Sequence, residues 1–182
     1  MAKIITLTGD LGSGKSTVSA ILIKELGYKY IYTGDILRDI ADRKGMSVME
    51  LNSYAETHPE IDKEIDDNFI NLKNEENLIV DSRLAWHFLP NSFKVFLKVE
   101  PSVAAQRIVK DKLRKNEQYQ SPEEAVKILN DRKQSELKRY MRLYGVDCAE
   151  MNNYNLIIDT STMSPDEVAE QILSEYKKFI NE

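Results

Sequence analysis

Short runs of apolar and β-branched residues alternate along this chain with longer segments in which apolar residues recur every three or four positions. The short runs have the length and composition of buried parallel strands, and the longer segments have the period of amphipathic helices. Five strands are predicted in this way, at residues 4–8, 28–32, 78–81, 93–99 and 156–159. The alternation predicts an α/β fold, with a five-stranded parallel sheet that carries helices on both faces.

Capping residues mark the ends of the predicted helices. Gly27 follows the first helical segment, where a glycine in the left-handed conformation commonly ends a helix. Ser121 and Ser164 are each followed by proline and, three residues after the serine, by glutamate, a combination typical of helix N-termini. The first predicted helix ends near Gly27, and another begins at Pro101. The remaining predicted helices cover 35–45, 47–55, 60–72, 121–144 and 168–179.

The first strand runs directly into a full match to the P-loop pattern G-x-x-x-x-G-K-[ST]. Glycines let the backbone approach a phosphate, and the loop N–H groups point inward at the positive end of the next helix. The alternative is a glycine-rich turn before an ordinary helix, but the flanking strand and helix are the context that the motif requires. We expect a nucleotide to be held by Gly9, Asp10, Leu11, Gly12, Ser13, Gly14, Lys15, Ser16 and Thr17.

Two of these residues, and one at the end of another strand, have the chemistry for phosphate and Mg²⁺. Lys15 is placed to reach the β- and γ-phosphates, and the Ser16 hydroxyl is placed to bind Mg²⁺. Asp81 ends the third strand, where an acid of P-loop proteins orients Mg²⁺ or its water. The alternative for Asp81 is a polar residue that begins a turn, and Arg83, two residues on, favours the metal role.

Residues 127–144 carry six basic and two acidic side chains, a net charge of +4 in a chain of net charge −5. Arg132, Glu136 and Arg139 fall within one face of the predicted helix. A solvated helix face is the alternative, but Lys138 and Arg142 would repel each other there. Arginines beside a P-loop suit a transferring phosphoryl group, whose charge spreads over its equatorial oxygens.

The residues present favour a phosphate as the acceptor of that group. A hydrolase must orient water, and no suitable residue follows Asp81 directly. A nucleoside monophosphate has a second pKa of about 6 and is mostly dianionic at neutral pH, so it attacks without a base. Arg38 and Arg83 are spaced to clamp such an acceptor. Phosphoryl transfer between two nucleotides therefore fits best.

Residues 9–17 and the segment Thr-Gly-Asp-Ile-Leu-Arg at 33–38 closely resemble nucleoside monophosphate kinases. The rest is similar to the cytidylate kinases, especially their short archaeal-type branch, including Pro-Glu-Ile-Asp at 59–62, Tyr-Gly-Val-Asp at 144–147 and Asp-Thr-Ser at 159–161. The resemblance implies a P-loop NTPase three-layer sandwich that transfers the γ-phosphoryl group of ATP to CMP or dCMP with Mg²⁺. It also implies a single domain over 1–182, with a helical acceptor-binding insertion at 35–74 and a lid at about 107–142.

The resemblance assigns roles to matching residues. Acceptor binding falls to Thr33, Gly34, Asp35, Arg38, Arg83, Arg132, Glu136 and Arg139. Donor binding falls to residues 9–17 and Arg107, and the catalytic set is Lys15, Arg83, Arg132 and Arg139. The chain departs from the family in three places: Asp-Ser-Arg at 81–83 replaces the usual Glu-Gly-Arg, Glu136 replaces an aspartate, and Asp111 stands where an extra lid arginine is common.

Composition excludes several other classes of function. The net charge of −5 provides no basic field for polymeric nucleic acid or a membrane surface, and the single cysteine excludes a disulfide framework or a cysteine-based zinc site. We expect a cytoplasmic location and favour a monomer, although the oligomeric state stays open. The alternatives are the same reaction on AMP, UMP or a small metabolite, and a non-catalytic nucleotide-binding regulator.

Overall fold

A parallel sheet of five strands runs through the computed structural model, which describes residues 3–110 and 121–181. The strands are β1 (Ile4–Gly9), β2 (Lys29–Tyr32), β3 (Leu78–Asp81), β4 (Phe93–Lys98) and β5 (Leu156–Asp159). They lie in the order β2-β3-β1-β4-β5, and every neighbouring pair is parallel. The predicted sheet is confirmed. Asp111 and the rest of 111–120, in the predicted lid, lie outside the described residues.

Eight α-helices occur in these two ranges. They are α1 (Lys15–Leu26), α2 (Thr33–Lys44), α3 (Val48–Ala55), α4 (Pro59–Asn71), α5 (Ala85–Phe88), α6 (Pro101–Lys110), α7 (Pro122–Tyr144) and α8 (Pro165–Asn181). The prediction that α2 starts at Asp35 was wrong by two residues, because Thr33 and Gly34 already form its first turn. The sequence did not predict α5, since four residues are too few to show a helical period.

The sheet is the middle layer of three. On one face, Ile5 and Leu7 of β1 pack with residues of α1 and α8, such as Leu22 and Ile172. On the other face, Ile4 of β1 and residues of β3 pack with α2, α3 and α4. Successive strand residues point to opposite faces, so β3 contributes Leu78 and Val80 to one core and Ile79 to the other. The predicted three-layer sandwich is confirmed.

The carboxyl ends of the central strands meet at one edge of the sheet. Leu7 of β1 lies opposite Asp81 of β3, and Gly9 lies opposite Leu97 of β4. Residues that follow these strands therefore come together, and ligands of open parallel sheets bind at this edge. No helix in the described ranges is both long and apolar enough to cross a bilayer.

Candidate active site

Two glycines let the loop after β1 pack directly on its neighbours. A Cβ added at Gly9, whose φ is +150°, would lie 2.1 Å from the carbonyl oxygen of Leu97. A Cβ added at Gly12 would lie 2.9 Å from the Cα of Ala104. Contacts this short to backbone atoms leave no room for a side chain, so the loop is in direct contact with β4 and α6.

The loop ends in an anion-binding helix terminus. Gly14 is the N-cap of α1 in the left-handed conformation, and no side chain caps the helix there. The N–H groups of the first turn are therefore available to a phosphate. Lys15 Nζ donates hydrogen bonds to the carbonyl oxygens of Gly9, at 3.0 Å, and Asp10, at 2.9 Å. Ser16 and Thr17 are exposed on the same turn.

Asp81 lies almost fully buried beside the loop, with 3% of its surface exposed. Burial raises the pKa of its carboxyl group, and the charges of Lys15 and Arg83 and a hydrogen bond from Tyr30 oppose that rise. The Tyr30 hydroxyl donates that hydrogen bond to Oδ2 at 3.1 Å. Thr33 Oγ1 donates to the main-chain oxygen of Asp81 at 3.1 Å, so the start of α2 is attached to the end of β3.

The predicted Mg²⁺ ligands have suitable chemistry. The described part of the chain contains no cluster of three or more His, Cys, Asp or Glu side chains that could hold a metal ion. Mg²⁺ at a nucleotide needs no such cluster, because phosphates, waters and one or two protein oxygens complete its coordination. The hydroxyl of Ser16 and the carboxylate of Asp81 are oxygen donors of this kind. They fit a nucleotide-bound Mg²⁺.

Arg83, Arg132 and Glu136 form a charged cluster next to the loop. Glu136 is buried. Its Oε2 forms an ion pair with Arg83, and its Oε1 accepts a hydrogen bond of 3.1 Å from Arg132 Nε. Trp86 Nε1 donates to the main-chain oxygen of Arg83 at 3.0 Å, which fixes that turn. A cleft next to this cluster is lined by Arg83 and Glu136 together with Gly9 of the loop.

Arg107 approaches the loop from α6. Its guanidinium donates to the carbonyl oxygen of Gly12 at 3.3 Å and to that of Thr160 at 2.7 Å. Thr160 is itself buried, and its hydroxyl donates to the carbonyl oxygen of Ser13 at 3.0 Å. Arg107 therefore contacts the phosphate loop directly, and its role in donor binding stays a prediction.

The predicted acceptor residues of α2 form a separate group. Arg38 is paired with Asp35 Oδ1 at 2.5 Å, and its guanidinium lies 5.4 Å from the centre of the Tyr32 ring. Gly34 faces the same ring, since an added Cβ would lie 2.4 Å from it. Arg38 is not among the described residues that line the cleft of Arg83 and Gly9.

Arg139 points toward α3 and α4. It is 9% exposed, its Nε lies 3.5 Å from Oδ1 of Asp62, and it donates to the main-chain oxygen of Asn52 at 3.5 Å. On the same helix, Arg132 is instead bonded to Glu136, which also pairs with Arg83. Arg132 and Arg139, which were predicted to share one helix face, therefore contact two different parts of the structure. The catalytic role of Arg139 stays a prediction.

Three residues near the site were missed by the sequence analysis: Tyr30, Lys133 and Thr160. Lys133 Nζ lies 2.7 Å from Oδ1 of Asp10 in the loop. Its place in a basic helix was visible in the sequence, but its partner lies 123 positions away. Tyr30 donates to Asp81, and Thr160 connects Arg107 to Ser13 through hydrogen bonds, contacts between distant parts of the chain that no spacing rule indicates.

Comparison with known proteins gives one consistent family. The sequence model described as the cytidylate kinase-like family matches residues 4–162. The chain is 39% identical to the cytidylate kinase of Pyrococcus abyssi (strain GE5 / Orsay) over 166 residues, which cover 91% of this chain and 88% of that protein. It is 35% identical to the cytidylate kinase of Sulfurisphaera tokodaii over 180 residues, 97% and 96% of the two chains.

Solved structures support the same fold. A shikimate kinase from Bacteroides thetaiotaomicron superposes with a TM-score of 0.65 at 16% identity, covering 98% of each chain. At this level of identity the likeness concerns the fold alone.

Proposed function

The chain belongs to the cytidylate kinase-like family, and on that premise we propose that it transfers the γ-phosphoryl group of ATP to CMP, giving ADP and CDP. It is an ATP-dependent phosphotransferase with a P-loop fold. The observation that carries the proposal for the site is the cluster of Arg83, Glu136 and Arg132 beside Gly9. The arrangement supports the proposal, because two arginines that could hold a second phosphate lie next to the loop that is proposed to bind the first.

On the donor side, Lys15 and the loop N–H groups hold the triphosphate, and Arg107 supports the loop from α6. Mg²⁺, when bound through Ser16 and Asp81, neutralises charge on the β- and γ-phosphates.

On the acceptor side, Arg83 and Arg132 hold the CMP phosphate, and Thr33, Gly34, Asp35 and Arg38 form the other part of the acceptor site. The acceptor phosphate is mostly dianionic at neutral pH and attacks the γ-phosphorus directly, so no side chain is needed as a base. Guanidinium groups delocalise the charge that develops on the equatorial oxygens. Glu136 binds Arg83 through Oε2 and Arg132 through Oε1, and so orients both guanidinium groups.

The finer features of the function stay predictions. They are the use of Mg²⁺, the acceptor dCMP, the acceptor-binding segment at 35–74, the lid at about 107–142, the role of Arg139, a monomeric state, the absence of nucleic-acid and membrane partners, and a cytoplasmic location. In the proposed mechanism Arg139 supports α7 through its buried ion pair with Asp62.

A coupled ADP-release assay with CMP, dCMP, UMP, AMP, GMP and shikimate tests the proposal. We expect kcat/KM to be highest for CMP, and Lys15→Met to abolish turnover with every acceptor. Lys24→Met, at an exposed lysine of α1, is the matched control and retains activity. Absence of turnover with CMP, or a clear preference for a non-nucleotide acceptor, would contradict the proposed function.

A further inference from the structure

The carboxylate of Asp10 is bound at both of its oxygens. Oδ1 lies 2.7 Å from Nζ of Lys133 on α7, and Oδ2 accepts a hydrogen bond of 3.3 Å from the main-chain nitrogen of Val99. The main-chain nitrogen of Asp10 donates to the carbonyl oxygen of Leu97 at 2.9 Å. Asp10 therefore connects the phosphate loop to the end of β4 and to α7.

A carboxylate within a phosphate-binding loop is unfavourable for binding an anion. Like charges at close range repel, and the repulsion is strong where water is partly excluded. Lys133 offsets this charge, and the Asp10 side chain is mostly shielded from solvent, with 18% exposed. The pair thus keeps the loop compatible with phosphate while occupying the Asp10 carboxylate.

Lys133 stands between the two residues of α7 that form the charged cluster. Arg132 precedes it, and Glu136 is three positions on, so these three side chains project from neighbouring positions of one helical turn. Arg83 and Lys133 also line both clefts that border Asp10. The position of α7 relative to the loop therefore determines where Arg132 and Glu136 lie relative to a bound phosphate.

We propose that the Asp10–Lys133 ion pair positions α7 on the phosphate loop and so aligns the cluster of Arg83, Glu136 and Arg132 with the transferring phosphoryl group. Lys133 is in this account a positioning residue, which acts through Asp10. The kinetic part of the proposal rests on the proposed function, whereas the attachment of α7 to the loop does not.

An alternative role for Lys133 is direct contact with a phosphate, and it predicts different signs. If both residues act only as charges near the triphosphate, Lys133→Met weakens ATP binding and Asp10→Asn strengthens it. If the pair positions α7, both single variants lower kcat/KM for CMP. The kcat/KM of the double variant is then no lower than that of the less active single variant. Lys133→Arg, which can still reach Asp10, restores most of the activity.

The experiment is a double-mutant cycle on Asp10→Asn and Lys133→Met, with kcat and KM for CMP and the dissociation constant of ATP measured separately. We expect each single variant to lower kcat/KM by about tenfold and the coupling factor to be about fivefold or more. Lys138→Met, at an exposed lysine of the same helix, is the control and leaves kcat/KM within about twofold. Additive effects, or opposite shifts of ATP affinity without coupling, would overturn the proposal.

Hydrogen exchange on the same proteins gives a readout that needs no substrate. Both single variants are expected to accelerate exchange of the α7 amides near Lys133, and Lys138→Met is not. Unchanged exchange in both would refute the attachment of α7 to the loop even if CMP proved not to be the substrate. Failure of CMP turnover with accelerated exchange would refute only the proposed function.

Discussion

Arg139 of α7 is paired with Asp62 of α4 across a buried contact, with Nε 3.5 Å from Oδ1 and with 9% and 5% of the two side chains exposed. Burial raises the pKa of Asp62, and the charges of Arg139 and Arg142 oppose that rise. Four residues further along α4, Asp66 accepts a hydrogen bond from Tyr144, at the end of α7. The helix that carries the charged cluster is thus also attached to the segment with the predicted acceptor role.

Removing one partner of this buried pair should destabilise the protein. Asp62→Asn leaves the Arg139 charge without its counterion, and such a change costs about 3 kcal/mol. Urea unfolding at neutral pH measures the free energy of unfolding. Glu60→Gln, at an exposed position of the same helix, is the control and changes it by less than about 0.5 kcal/mol. Equal, small losses in the two variants would show that the pair contributes little.

Asp66 gives a pH dependence opposite to that of most carboxylates. Its pKa is raised to about 6, mainly by burial, whereas an unfolded aspartate titrates near 4. The folded state therefore binds the proton more tightly, and stability is lost as pH rises from about 4 to about 6.

Asp66→Asn should remove this loss. The stability of the variant relative to the original chain is expected to increase by about 1 kcal/mol between pH 4 and pH 7, a value reduced from the full linkage because Asp66 is partly exposed and screened. Urea unfolding at several pH values measures the difference in the free energy of unfolding between the two proteins. Contributions from carboxylates that both proteins share cancel in this difference. A difference that stays constant between pH 4 and pH 7 would contradict the raised pKa of Asp66.

Arg83 should contribute to the acceptor and not to the donor. Arg83→Ala is expected to raise KM for CMP and to lower kcat/KM by about 100-fold, as removal of a transition-state donor does, with ATP affinity nearly unchanged. Steady-state kinetics and ATP titration separate the two effects. Arg43→Ala, which removes an arginine of α2 from the surface, is the matched control. An equal loss of ATP affinity would assign Arg83 to the donor side.

Gly34 should matter because of the ring it faces. In Gly34→Ala the new methyl group overlaps the Tyr32 ring, which must move away from its place beside Arg38. We expect KM for CMP to rise by about tenfold, since small displacements of binding groups have large kinetic effects. Tyr32→Leu should reproduce the change through loss of the same ring. If Gly34→Ala raises KM while Tyr32→Leu does not, the ring does not orient Arg38.

Features governed by local pattern were predictable from the sequence. Gly27 ends α1 with a φ of +67°, and Ser121, at the predicted N-terminus of α7, accepts a hydrogen bond from the main-chain nitrogen of Glu124. In each case neighbouring residues determine the conformation. The phosphate loop was equally predictable, because its motif encodes the backbone geometry as well as the chemistry.

Features that depend on packing between distant elements were not predictable. Helical spacing placed Arg132 and Arg139 on one face, yet the structure directs the first to Glu136 and the second to Asp62. Long side chains reach different neighbours from nearly the same face, and only the packing of α7 decides which. The pair of Lys133 and Asp10 is of the same kind, since no spacing rule relates positions so far apart.

The contact between Gly12 and Ala104 has a consequence for how this protein can be altered. Because the two backbones touch and Arg107 of α6 donates to the carbonyl oxygen of Gly12, we expect a displacement of α6 to displace the phosphate loop as well. The proposed acceptor residues at 33–38 take no part in this contact, so we expect that they can be altered without disturbing it. Position 12 itself has no room for a side chain, since an added Cβ would lie 2.9 Å from the Cα of Ala104.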